Sequence, residues 1–507
     1  MSAAYSIRCL VAAGSMLCVS DSLAQHVSIL SRSVTDTAGV GWSQDARVSA
    51  DGNHIVFASS ANNLVPNDTG GTDIFIRDRA AGTLKRMSIR ADGTQSIGAH
   101  WHPDLSPDGR FIVFSSDATG LVTPSTTGRH IYLRDRDTDV DGIFDEPGAV
   151  SLELISVSGS GQRATGECGL PSVSADGRYI AFQSVASNLV AGDNNGVMDV
   201  FVRDRVNGTT VRVSSAGGVA GNGASSVPNI SGNGHYVLFH TNADNLVSGD
   251  TNQTTDVMRY NVRQGTIERV SVSSTGAQLT TGSVLGSEAI VGPCISADGR
   301  HVVFQTSSAV IPGDTNGQID VYARDMDANT FTRISRRADG SQTAYPCISG
   351  TMSSDARFVM FSTSDFLVVD NDTNNRQDIF MQDRDADENG VFDEVGGVSI
   401  KRVSVGNRGV QTSLASYGGR IVDGGVEVIF TTTAGNLVPG DTNGFPDVFG
   451  VNFGFCPADY DFSGFVDGDD VIAFFSDWSA GFADLDLSGS TDGDDVIAFM
   501  TRWDSGC

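Results

Sequence analysis

The sequence predicts a mainly β chain in which seven small sheets close into a ring, followed by a short α-helical tail. Three observations predict this. The phenylalanine that ends a turn-and-strand signature recurs at Phe57, Phe114, Phe182, Phe239, Phe304, Phe361 and Phe430, at intervals of 57 to 69 residues. Each interval is filled with β-rich runs separated by Asp, Asn and Gly, and an all-β repeat of this length means a propeller or an array. Beyond Cys456 the composition changes, and aspartates crowd into a segment that is itself duplicated.

At 507 residues the chain is too long for one ordinary core, so it needs several domains or one large closed repeat. Its formal charge of -28 argues against nucleic acid or an anionic membrane as partner and suits an exported protein that binds cations, and no run after the N-terminal segment approaches the length needed for membrane insertion. Residues 1–24 read as a signal peptide. Arg8 precedes the apolar run from Leu10 to Val19, which is too short to span a bilayer, and Ser22-Leu23-Ala24 has the form of a cleavage site. Export permits disulfides, and Cys456 and Cys507, which bracket the tail, are the expected pair. The sequence does not pair Cys168, Cys294 and Cys347.

The propeller is expected over residues 25–454. Ser172 to Ser214 is a representative unit, and it cannot stand alone, because Tyr179 and Ala181 make one strand face apolar while Ile180 and Phe182 do the same for the other. Turns such as Ala50-Asp51-Gly52, Pro107-Asp108-Gly109, Ala175-Asp176-Gly177 and Ala297-Asp298-Gly299 read as the link between the first two strands of a blade. Ser354-Asp355-Ala356 lacks the glycine, and Asp423-Gly424-Gly425 carries an extra residue before Phe430, so blades 6 and 7 should be less regular. Third strands follow as DIFIRDR, HIYLRDR, DVFVRDR, DVYARD and DIFMQDR, and fourth strands as LKRMS, TVRVS, IERVS, FTRIS and IKRVS. The last unit lacks a fourth strand, and Val27 to Ser31 has the missing pattern. It should pair into blade 7 and close the ring, removing an open sheet edge.

These motifs resemble TolB-like propeller repeats, also called PD40 or WD40-like repeats, over roughly residues 26–454. The resemblance implies a secreted or periplasmic protein with a ligand or partner surface at one mouth of a central channel. TolB itself carries a further N-terminal domain, which casts doubt on a role in outer-membrane maintenance. The same repeat caps prolyl-oligopeptidase-like enzymes, but no G-x-S-x-G elbow occurs here, which disfavours serine hydrolysis.

Two blades carry acidic insertions between their third and fourth strands. Asp137, Asp139 and Asp141 precede Gly142 in one, and Asp385, Asp387 and Asn389 precede Gly390 in the other. Oxygen ligands at alternate positions before a glycine let a short loop wrap a hard cation, so Ca2+ is the natural ion, with solvated turns as the alternative. A weaker pattern pairs Asp193 with Asp199, Asp250 with Asp256, Asp314 with Asp320, Asp372 with Asp378 and Asp441 with Asp447. Such residues most often bond their own backbone. The Arg-Asp-Arg strand ends read as ion-pair ladders between blades. His100 and His102 flank Trp101 in a strand facing the channel, where alternate residues share a side, so a metal or substrate site there competes with ordinary core or rim histidines.

The tail, residues 456–507, repeats after 25 residues: DYDFSGFVDGDDVIAFFSDW matches DLDLSGSTDGDDVIAFMTRW at most positions. Each copy carries an EF-hand-like ligand set, Asp459, Asp461, Ser463, Phe465 through its carbonyl, Asp467 and Asp470, then Asp484, Asp486, Ser488, Ser490 through its carbonyl, Asp492 and Asp495. Helices should run from about Val471 and Val496, with Val471, Phe474, Phe475 and Val496, Phe499, Met500 as apolar faces. The duplicate resembles a dockerin, in particular the variant that ends in Gly-Cys, here Gly506-Cys507. The resemblance implies a calcium-folded module that docks onto a cohesin-like partner or a surface scaffold. Gly468-Asp469 and Gly493-Asp494 occupy the positions that help set partner choice in dockerins.

The resulting expectation is an exported, non-catalytic propeller that presents a glycan- or protein-binding surface and is tethered outside the cell or at its surface. A polysaccharide lyase or hydrolase with its active site in the propeller is the competing reading, and a structural envelope protein a third. Acid, base and aromatic platform residues gathered at one mouth would favour the enzyme.

Overall fold

The computed structural model describes residues 26–453, apart from 36, 91, 287–291, 407–409 and 439, and in the tail residues 468–479, 493, 496, 497, 499, 500 and 503. It divides into two compact units, His26–Asn452 and a second that holds Phe453–Cys507. Residues 1–24, expected to be a signal peptide, most of the tail positions expected to bind calcium, and Cys456 and Cys507 lie outside the described residues.

The first unit is a seven-bladed propeller of four-stranded antiparallel sheets. Blade 1 contains Ser43–Val48, His54–Ser59, Asp73–Asp78 and Thr83–Arg86. Blade 3 repeats this as Cys168–Val173, Tyr179–Ser184, Asp199–Asp204 and Thr209–Arg212. Neighbouring blades touch around the whole circle, and the first strand of blade 1 packs on the first two strands of blade 7. Blade 7 is completed from the other end of the sequence, by His26–Ile29 pairing antiparallel with Asp447–Asn452. Seven incomplete cores are thereby merged into one belt.

The recurring phenylalanine is the middle of that belt. In six blades it stacks at about 6 Å on the aromatic residue facing it from the third strand, as in Phe57–Phe75, Phe182–Phe201 and Phe430–Phe449, each at 5.8 Å. In blade 4, Phe239 faces Met258 instead. All of these side chains are fully buried. Offset stacking of this kind adds about 0.5–1.5 kcal/mol per pair beyond the area buried.

Blades 6 and 7 are as regular as the others, contrary to expectation. Ala356 adopts the left-handed conformation (φ 65°) that the Asp-Gly glycines adopt elsewhere. In blade 7 the residue bonded back to the start of the turn is Gly425, through its N–H to Val422 O, just as Gly177 bonds Ser174 O. Gly424 therefore takes the aspartate position, and no residue is inserted. The irregular blade is blade 5, whose first strand is cut to Ser283–Val284 and resumes only at the bridge between Ile295 and Val302.

In the second unit, helix α1 covers Gly468–Ser479. Phe474 and Phe499, 25 residues apart and equivalent in the two copies, stack face to face with centroids 4.1 Å apart. Val471, Trp478, Val496, Met500 and Trp503 surround them. Phe475, expected on the buried face, is 38% exposed. Among the described residues no helix is long and apolar enough to cross a membrane.

Candidate functional site

The first strands of all seven blades line a central channel that holds a cavity of about 170 Å³. None of these strands is a plain strand. In the six blades other than blade 5 the register slips between the second and fifth residues of this strand, and the third residue is left-handed at Asp45, His102, Leu170, Val227, Ser349 and Gly418. A bulge of this kind re-aims the side chains that follow it. The fifth residues then form a ring around the channel: Arg47, Asp104, Ser172, Asn229, Thr351 and Arg420, with Cys294 completing it in blade 5.

Most of this ring ties each blade to the next. Asp104 accepts from Val173 N at 3.0 Å, Ser172 from Ile230 N at 3.2 Å and Asn229 from Cys294 N at 3.1 Å, while Thr351 donates to Gly419 O at 3.3 Å. Blades 7, 1 and 2 differ, because they bring charge. Arg47 pairs with Asp104 at 3.3 Å. Arg420 is only 4% exposed, and burial, then the neighbouring Arg47, hold its guanidinium pKa well below the usual range. The opposite wall is apolar, with Leu170, Val227, Ile230, Pro293 and Met352. Among the described residues no Phe, Tyr or Trp lines the cavity.

The expected histidine pair does not share a face. The bulge follows Trp101, and His102 takes φ 49°, which breaks the alternation on which the expectation rested. His102 lines the channel. His100 is fully buried beside blade 1, with Nε2 3.0 Å from Ser96 Oγ and 3.8 Å from Asp73, and its ring edge against Phe114. Burial, then Arg86, push its pKa down to about 3, so it is a neutral core residue.

The acidic insertion of blade 2 brings its three carboxylates together. Oxygens of Asp137, Asp139 and Asp141 lie within 4.8 Å of one another. Asp137 also accepts from Asp141 N at 3.2 Å and Gly142 N at 3.1 Å, which folds the loop around it. Lost solvation, followed by the neighbouring Asp137 and Asp141, pushes the Asp139 carboxyl up, whereas the backbone N–H groups of Gly142 and Asp141 hold Asp137 down. The residues therefore fit a hard cation. Asp145 is not a ligand, because Arg136 holds it at 2.9 Å. Blade 6 repeats the arrangement: Asp385 accepts from Asn389 N and Gly390 N, Asn389 Nδ2 donates to Asp387 at 3.0 Å, and Arg384 holds Asp393 at 2.6 Å. Behind each loop a phenylalanine, Phe144 or Phe392, lies under the same arginine.

In blades 3, 4 and 6 the paired aspartates between second and third strands hold an arginine rather than only turning the chain. In blade 3 they bracket a buried arginine from the fourth strand, Arg212, at 3.0 Å from Asp193 and 3.6 Å from Asp199. Arg269 and Arg402 do the same for Asp250 with Asp256 and Asp372 with Asp378. Blade 2 is the control: His130 stands for the strand-opening aspartate, and Leu154, facing Tyr132, stands where Arg212 faces Phe201. The charges are kept or lost as a set. The signal was present in the fourth-strand motifs, each with its arginine. Among the described residues the Arg-Asp-Arg strand ends pair within blades, as Arg110–Asp135 and Arg178–Asp204, and also between blades, as Arg205–Glu153 and Arg79–Glu427.

Cys168, Cys294 and Cys347 are free and buried. Burial pushes their thiols up to about 11, 12 and 12, so they are inert core residues rather than nucleophiles.

Neither a family model nor a curated protein matches this sequence. Among solved structures, the chain is similar to an oligogalacturonate lyase in complex with manganese, at 11% identity and a TM-score of 0.46, over 85% of this chain and 90% of that one. It is similar to TolB from Acinetobacter baumannii at 14% identity and a TM-score of 0.33, over 67% and 75% of the two chains. An acylaminoacyl peptidase of Pyrococcus horikoshii matches at 10% identity and a TM-score of 0.42, over 77% of this chain and 49% of that one. These likenesses concern the propeller fold alone.

Proposed function

We propose that the chain is an exported, non-catalytic propeller that presents a ligand- or protein-binding surface and is tethered to an extracellular or cell-surface assembly by a dockerin-like, Ca2+-folded tail. The observation that carries this reading is the paired core of the second unit, where Phe474 of one copy stacks on Phe499 of the other at 4.1 Å. A duplicated aspartate-rich segment with its own two-copy core suits a separate binding module, and its ligand set of Asp459, Asp461, Asp467 and Asp470, repeated from Asp484 to Asp495, suits calcium. The carboxylates gathered at Asp137, Asp139 and Asp141 support a further calcium ion that stiffens the blade 2 insertion.

A cavity without an aromatic platform favours binding over glycan cleavage. The enzymatic reading draws on the charged wall of Arg47, His102, Asp104 and Arg420, and a screen for lyase and hydrolase activity with an Arg420→Ala control tests it. The tethering is tested by retention of the full mature chain on the surface fraction of its own cells. Retention should be lost in EDTA and restored by calcium; retention indifferent to both would overturn it.

A further inference from the structure

Comparison of the seven blades with one another exposes a surface on blade 6 that the fold does not require. Six residues after the second-strand phenylalanine, four blades place an asparagine that clamps the loop joining blades: Asn63, Asn188, Asn245 and Asn436. Each accepts a backbone N–H and donates to a backbone carbonyl, as Asn63 does with Val40 N at 2.9 Å and Ala38 O at 2.8 Å. Blade 6 has Leu367 there, 52% exposed, with Phe366 beside it, 42% exposed. The clamp has passed to Asp365, which accepts from Ala344 N at 2.6 Å and pairs with Arg337 at 3.1 Å.

A third departure adjoins these two. Blades 1 to 4 carry a glycine two residues before the first strand, and packing closes the position: a Cβ on Gly98 would lie 2.4 Å from Ala118 Cα, and one on Gly223 2.5 Å from Asn242. Blade 6 places Tyr345 there, 43% exposed. The bond from Ala344 N to Asp365 ties together the two chain segments that carry Tyr345 and Phe366–Leu367. Blade 7 also exposes a leucine at the glycine position, Leu414, but keeps Asn436, whereas blade 6 departs at all three positions, and large apolar side chains in solvent gain nothing for folding.

We propose that Tyr345, Phe366 and Leu367 form a docking site for a neutral polysaccharide, which names a ligand class and a place for the binding surface proposed above and rests on that reading. The patch offers roughly 250 Å² of apolar surface, against the ~800 Å² per partner of a stable protein interface. A peptide strand finds no ladder, because Ala344 N and Leu367 N already bond inward to Asp365. A polyanion is disfavoured by the charge of -28, and the patch's nearest arginine, Arg337, is already paired. Two exposed rings on bonded segments, one with a phenolic hydroxyl, remain, and an uncharged sugar ring can lay its C–H face on such a ring while its hydroxyls stay in water. The site lies on the face of the ring away from the Asp-Gly turns, because strand direction reverses at each turn and the loops after second strands fall on the opposite side.

Isothermal titration of the full mature chain with cello-, xylo-, manno- and chito-oligosaccharides tests this, with polygalacturonate and a proline-rich peptide as comparators. At least one neutral oligosaccharide should bind, and Tyr345→Ala and Phe366→Ala should weaken it tenfold or more with an unchanged melting temperature, in calcium or EDTA alike. Leu367→Asn, which restores the residue of the sister blades, should fold normally and also weaken binding. Variants that bind like the parent would overturn the inference while leaving a binding propeller intact. Binding only to polygalacturonate or the peptide, or to no probe, would also overturn it, and the tail's calcium-dependent retention would still be decided separately.

Discussion

Ser31 Oγ donates to Asp447 Oδ1 at 2.6 Å across 416 residues of sequence. The same bond recurs inside single blades, from Ser88 to Asp73 at 2.6 Å and from Ser271 to Asp256 at 2.7 Å. Ser31 is therefore the fourth-strand serine of blade 7, supplied from the N-terminal side. Ser31→Ala leaves a buried carboxylate short of a donor and should cost about 1–3 kcal/mol. Removal of residues 26–35 should lower the melting temperature far more, since it opens a sheet edge and uncovers Val27 and Leu30; an unchanged melt would contradict closure.

Arg212→Met should be among the most damaging single changes in the propeller. It leaves Asp193 and Asp199 buried together without their cation, at a cost of about 3–5 kcal/mol. Blade 2 shows that a neutral set is tolerated, so changing Asp193, Asp199 and Arg212 together to Ser, His and Leu should recover much of the loss. Urea denaturation of the single and triple variants measures both.

The closing seam also sets a pH dependence. Burial, then the adjacent Asp447, raise the Asp441 pKa to about 6, and burial raises that of Asp447. A carboxyl whose folded pKa exceeds its unfolded value binds more protons when folded, so its contribution is greatest below pH 4 and is lost as pH rises through 6. Asp204 and Asp298 act oppositely, because hydrogen-bonded partners hold their carboxyls below the usual range. Asp441→Asn should therefore stabilise the propeller at pH 7 relative to pH 4, by comparison with the parent. Thermal melts across pH 4–7 with no such difference would contradict this.

Phe474→Ala removes half of the only stacked pair described in the second unit and should cost about 3–5 kcal/mol there. Two-step unfolding, in which the first step moves earlier and the second stays fixed, is the expected signature.

Much of the ring was legible in the sequence, because turn chemistry and strand periodicity are local. The seven phenylalanines, the Asp-Gly turns and the N-terminal closing strand could all be read from short patterns. The first strands could not. Their left-handed third residue is Asp, His, Leu, Val, Ser or Gly, and nothing in a leucine or valine announces a conformation it rarely adopts, so the His100 and His102 alternation failed there. The arginine between paired aspartates was missed for another reason: its strand is distant in sequence, and only the register Phe201 to Arg212 brings the three charges together.

The proposed folding of the tail by calcium is open to one direct measurement. Trp478 and Trp503 pack around the Phe474–Phe499 pair, which makes their fluorescence the direct report. A calcium titration of the full mature chain should give a saturable change in tryptophan emission, reversed by EDTA and absent in Trp478→Phe/Trp503→Phe. Emission that is the same in calcium and in EDTA would contradict the account.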